Sequence, residues 1–166
     1  MKKLITLALL IIAQISYGQM SYKYYYNIGN SKFKLKDYNG AISNFTKAID
    51  LNPEYTNAYY NRALAKDRLN NHYGAISDYS KAIELDPKED VYCDRGVSKS
   101  KLKDYNSAIS DYSKAIELNP VYVIAYHNRG IAKYLLGDRN GGCNDWRKAS
   151  NLGDKTAKKW VAKQCN

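Results

Sequence analysis

Between Ala75 and Leu85 the chain reads AISDYSKAIEL, and Ala75, Ile76, Tyr79, Ala82 and Ile83 recur at steps of three and four residues. That spacing puts them on one buried stripe of a helix. The same eleven letters return from Ala108 to Leu118, 33 positions later. An active site is not needed twice at such a spacing, whereas a structural brick that packs on its own copy is. Each such stretch ends in a turn-forming Pro: LNP at Leu51 to Pro53, LDP at Leu85 to Pro87 and LNP at Leu118 to Pro120. The steps are therefore 34 and then 33 residues, and the missing residue falls after Pro87, in the inter-repeat turn where a deletion costs least.

A second pattern sits on the helix that precedes each brick: YYYNIGN at Tyr24, YYNRALA at Tyr59, YCDRGVS at Tyr92 and YHNRGIA at Tyr126. Twelve residues after its small residue comes Ala41, Ala75, Ala108 or Gly142, and four residues later Phe45, Tyr79, Tyr112 or Trp146. Small residues at these points let two helices approach closely, with the aromatic ring filling the space beside them. These residues resemble the tetratricopeptide repeat, whose signature pairs an aromatic and a small residue on a first helix with Ala, aromatic and Pro on a second. The resemblance implies an all-α solenoid of antiparallel helix pairs. Its repeats are expected at 22–55, 56–88 and 89–122, with a degenerate fourth at 123–154, where Gly142 replaces Ala and Asp154 stands in place of Pro. Residues 155–166 are expected to form a capping helix, with Ala157, Trp160 and Val161 on one face and Lys158, Lys159 and Lys163 mostly elsewhere.

The ends change the picture. MKKLITLALLIIAQISYGQ has two lysines, an apolar run from Leu4 to Ile15 and small residues around Tyr17, the layout of a secretory signal peptide over residues 1–18. The run is short for a membrane span, an uncleaved anchor being the alternative. Export to a bacterial periplasm, envelope or exterior is the expectation. Removal of the first eighteen residues would leave a net charge of +8, and the excess lies at one end. Residues 123–166 hold nine Lys or Arg against three acids, while residues 19–122 are nearly balanced. With Phe rare and seventeen Tyr, the core is expected to use Ala, Ile, Leu and Tyr rings.

Three of the four first helices carry Arg before the small residue, at Arg62, Arg95 and Arg129, and sixteen residues after each sits Asp78, Asp111 or Asp145. The first repeat has Ile28 and Asn44 instead, so both charges are absent together. Positions equidistant from a hairpin turn face each other, and the midpoints are Asn70, Lys103 and Gly137, the expected turns. Interhelical ion pairs follow from this reading; unpaired surface charges are the alternative. By the same reasoning Cys143 and Cys165 lie eleven residues on either side of Asp154 and could be bonded in an exported chain, leaving Cys93 as a small core or groove residue.

His72 and His127 have no Cys, Asp or Glu at metal-ligand spacing, and the chain has no CxxC, HExxH or GxSxG. No enzymatic activity, metal, cofactor or small-molecule substrate is expected. The resemblance instead implies a concave groove lined by first helices that takes up a peptide or helix of a partner protein. Repeat one would contribute Tyr26, Asn27, Asn30 and Phe33, and repeat two Tyr60, Asn61, Leu64 and Arg68. Repeat three would add Asp94, Val97 and Lys101, and repeat four His127, Asn128, Ile131 and Tyr134. A branch of the family grips a chaperone's C-terminal carboxylate with Lys, Asn and Arg. Asn30 and Asn61 resemble two of those ligands, but Tyr26, Asp90 and Asp94 stand where cations would be, and the acids would repel a carboxylate. The rival is a basic C-terminal surface for an anionic partner, whether acidic protein, envelope surface or nucleic acid, although export argues against the last. The N-terminal edge at Tyr22 to Tyr26 lacks an obvious polar cap and is open to a partner or a second copy.

Overall fold

A computed structural model describes residues 22–165, so the expected signal segment lies outside the described residues. They divide at Asn71 and His72 into two compact units. The first holds helix α1 (22–34), α2 (Tyr38–Leu51) and α3 (Thr56–Arg68). The second holds α4 (His72–Leu85), α5 (Glu89–Lys101), α6 (Tyr105–Leu118), α7 (Val123–Leu135), α8 (Arg139–Asn151) and α9 (Lys155–Gln164). Consecutive helices within each unit pack in antiparallel pairs, and the described residues contain no strand. No helix among them is long and apolar enough to cross a membrane.

A short turn recurs at the ends of five helices. Lys36, Asn70, Lys103, Gly137 and Gly153 all adopt positive φ, which ends a helix in the left-handed conformation. The turns expected at Asn70, Lys103 and Gly137 are among them. In four of the five the next residue is an Asp that caps the following helix. Asp37 accepts from Gly40 N at 2.9 Å, Asp104 from Ser107 N at 3.2 Å and Asp138 from Gly141 N at 2.8 Å. Asp154 accepts from Thr156 N and Ala157 N at 2.7 and 3.1 Å. Each cap satisfies amide groups that the first turn of a helix would otherwise leave without partners.

The core is narrower in composition than the sequence suggested. Phe45, Tyr79, Tyr112 and Trp146 are fully buried among Ala41, Ala48, Ala75, Ala82, Ala108, Ala115 and Ala149. No Leu is buried among the described residues; Leu51, Leu69, Leu118, Leu135 and Leu136 end helices and stay exposed. The expected Ile is represented by Ile49, with Val91 also buried, but the closest contacts between paired helices are filled by methyl groups and flat rings.

The last pair shows this most sharply. A methyl group on Gly142 would stand 2.9 Å from the Gly130 carbonyl oxygen, and one on Gly130 would meet the Trp146 indole at 2.5 Å. Gly142 therefore does more than mark degeneracy: it lets α7 and α8 touch backbone to backbone beside a ring larger than Tyr. Helix propensity alone would make Gly142→Ala stabilising by about 1 kcal/mol. We expect instead a loss of about 2 kcal/mol from overpacking, read by urea unfolding. A gain would show that the two helices separate freely.

Candidate functional site

In the first unit, α1 and α3 present a joined polar and aromatic face. Asn61 Nδ2 donates to the Tyr26 hydroxyl at 2.9 Å and to Asn30 Oδ1 at 2.8 Å, using both amide hydrogens. The Tyr26 ring packs on Phe45 and edge-on against Tyr55 at 5.8 and 5.0 Å, so only its hydroxyl end serves the surface. Phe33 rests on Tyr38 at 5.4 Å. Tyr60 and Leu64 are half-buried, while Asn27 and Arg68 are exposed. Of the residues expected to line a groove here, Tyr26, Asn30 and Asn61 are brought into one hydrogen-bonded group.

In the second unit the same helix positions are less open. Asn128 reaches Cys93 Sγ at 3.9 Å. Burial, with Asp94 adding to it, pushes the Cys93 thiol up to about 12. It stays protonated at neutral pH and has no nucleophilic character. Asp94, Val97, Ile131 and Tyr134 are half-buried, and Lys101 is exposed. His127 has two partners: its Nδ1 lies 2.6 Å from Asp154 Oδ2, and its carbonyl accepts from Trp146 Nε1 at 3.2 Å.

Behind these faces runs a repeated charged bracket. Arg95 holds Asp111 through Nε and Nη2 at 2.9 and 2.7 Å, and Lys99 Nζ reaches the same carboxylate at 2.8 Å. Arg129 and Lys133 hold Asp145 at 2.8, 2.7 and 2.9 Å. The free arm of each Arg goes to the preceding repeat, Arg95 to Ser80 Oγ and Arg129 to Ser113 Oγ, both at 3.0 Å. Each guanidinium also lies over the Tyr three residues before it, Tyr92 at 5.5 Å and Tyr126 at 5.6 Å. Arg62, in the first unit, donates to Thr46 Oγ1 at 2.9 Å and covers Tyr59 at 5.6 Å; Asp78 is buried in the second unit. The lysines escaped the sequence reading, yet a signal exists, since RALAK, RGVSK and RGIAK repeat Arg and Lys four residues apart.

The C-terminal end is held three ways. A disulfide joins Cys143 to Cys165, with Cα atoms 5.6 Å apart. Trp160 stands edge-on to Trp146 at 4.8 Å, and Asp154 ties α9 to His127. A cleft of about 490 Å³ opens beside that tie, lined by Val123, Ile124, His127, Leu152, Asp154 and Lys155 among others. Burial alone would raise the Asp154 carboxyl; the Ala157 and Thr156 amides and the His127 ring outweigh it and hold it below its ordinary 3.8. A depressed carboxylate adds stability that is complete above about pH 4 and is lost as pH falls through its folded value. Asp154→Ala should cost about 1 kcal/mol at neutral pH through the lost cap and flatten the acid dependence of α9 protection in hydrogen exchange. An unchanged acid limb would assign that dependence elsewhere.

Family profiles described as tetratricopeptide repeat match residues 22–55 and 56–89, and one described as TPR repeat matches 90–137. The chain belongs to the tetratricopeptide repeat family. In repeat terms α1, α3, α5 and α7 are first helices, and the profile match stops at the turn after α7, leaving α8 and α9 outside it.

No curated protein matches the chain by sequence. Solved structures of tetratricopeptide proteins do resemble it. MamA superposes with a TM-score of 0.80 at 22% identity, over 85% of this chain and 79% of MamA, a likeness of fold alone. The first TPR of Spaghetti (RPAP3), bound to the HSP90 peptide SRMEEVD, gives 0.69 at 28% identity, over 71% of this chain and 94% of that one. The Arabidopsis OM64 TPR domain gives 0.68 at 28%, over 71% and 98%.

Proposed function

We propose that this protein is an exported, non-enzymatic scaffold that takes up a peptide or helix of a partner protein on its first-helix faces. The observation that carries the reading is the Tyr26, Asn30 and Asn61 group, in which hydroxyl and amides are fixed by hydrogen bonds between two first helices. Rigid aromatic area and oriented amides suit an extended backbone at little entropic cost. A peptide-bound TPR among the similar structures supports the mode. It does not transfer the ligand, because Asp90 and Asp94 replace cations expected for an acidic tail. The signal-like N-terminus and the Cys143 to Cys165 bond both support an oxidising compartment.

The test compares the parent with a Tyr60→Ala/Asn61→Ala variant as bait in an envelope extract, then measures the captured protein by calorimetry. Tyr26 is left intact because its ring is part of the packing. The variant should lose about thirtyfold in affinity at moderate salt, as truncating two central contacts does. Equal affinity of both baits would sink the groove reading.

A further inference from the structure

We propose that α9 carries a separate docking site for an acidic segment of a partner protein, one that inserts an aromatic or aliphatic side chain against Trp160. Lys159, Trp160, Lys163 and Gln164 line a cavity of about 290 Å³. Small-molecule pockets run about 300–1,000 Å³, so this one suits a single side chain of a peptide better than a cofactor.

The aromatic floor is preformed. Trp160 is braced by Trp146 at 4.8 Å and His127 at 6.3 Å, yet 37% of it remains exposed. An exposed, immobilised Trp has large contact area and little rotamer freedom left to lose, the profile of a binding hot spot. The wall is fixed as well: the Tyr134 hydroxyl donates to Gln164 Oε1 at 2.9 Å, and the next residue is the disulfide-bonded Cys165.

Charge selects the occupant. Helix α9 reads KTAKKWVAKQ, with four lysines and no acid. Among the described residues neither Lys159 nor Lys163 has an ion-pair partner, whereas Lys99 and Lys133 are committed to Asp111 and Asp145. Lys159 and Lys163 lie one helical turn apart, where like charges repel. A carboxylate between them relieves that repulsion. The helix dipole is negative at this end, so the attraction comes from the lysines and not from the backbone. Acid on both sides of one apolar residue is the sequence that fits two lysines flanking an indole.

The experiment titrates the oxidised chain with a short fluorescein-labelled peptide carrying glutamates on both sides of a central phenylalanine. Anisotropy and the tryptophan emission are read together. Binding should shift the emission and weaken more than tenfold in Lys159→Glu/Lys163→Glu, a surface change checked for intact helicity. It should persist in Tyr60→Ala/Asn61→Ala, so that this site and the groove succeed or fail separately. The proposal is overturned if the charge-reversed chain binds like the parent, or if a peptide with alanine for phenylalanine binds as well. Loss of binding in the Tyr60→Ala/Asn61→Ala chain also overturns it, as does tighter binding of an oligonucleotide or of phosphatidylglycerol vesicles through the same lysines.

Discussion

Asp111→Ala will lower the stability of the second unit by about 3 kcal/mol, the low end for removing one member of a buried ion pair. The carboxylate is 4% exposed and takes charge-assisted bonds from Arg95 and Lys99, which are themselves only 17% and 18% exposed. Without it two cations share a low-dielectric seam with no anion, and the Ser80 hydroxyl cannot replace a charge. The low end applies because Arg95 and Lys99 retain some access to water. The companion variant Arg95→Leu/Asp111→Leu should lose less than Asp111→Ala, since apolar replacement of both partners leaves a single cation to rehydrate. Urea unfolding of the four corners of the cycle measures the coupling. A loss in the double variant equal to the sum of the two single losses would reduce the bracket to two independent surface charges.

Reduction of the Cys143 to Cys165 bond comes next in size. It closes a loop with a sequence separation of 22, for which chain entropy gives about 3 kcal/mol. The loss should be local. Helix α9 has one fully buried side chain, Ala157, so without the bond its amides should exchange early while α5 to α7 keep their protection. Cys143→Ser/Cys165→Ser should reproduce the reduced state without reductant. A bond whose removal left α9 protection unchanged would show that Trp160 and Asp154 suffice to hold the helix.

Much of the architecture was readable because repetition cancels local ambiguity. Phe45, Tyr79, Tyr112 and Trp146 stand at one register position and are all buried, and the hairpin midpoints Asn70, Lys103 and Gly137 fall where the backbone turns left-handed. The offset of sixteen between Arg and Asp becomes a contact at 95 and 111 and at 129 and 145 because a symmetric hairpin makes sequence distance into spatial opposition. What escaped the sequence depends on closeness that no spacing states. Leucine looks like core until the helices prove too close to admit it. The contact between the His127 ring and Asp154 likewise depends on a turn that the residue spacing does not announce. Ser80 and Ser113 join the brackets through the neighbouring repeat, and the two lysines join through a helical step that the hairpin rule does not count.

Each of the two brackets draws on its own repeat for Arg, Lys and Asp and on the preceding one for Ser, and the repeat of the first also supplies the Ser that the second uses. Residues 89–121 carry Arg95, Lys99 and Asp111 together with Ser113, the acceptor for Arg129. A copy of that segment inserted in register would find every group a partner and leave none behind, and so would its deletion. Copy number is then the easiest property of this protein to change, by gene duplication or by design, and the twice-written AISDYSKAIEL has the form such a duplication leaves.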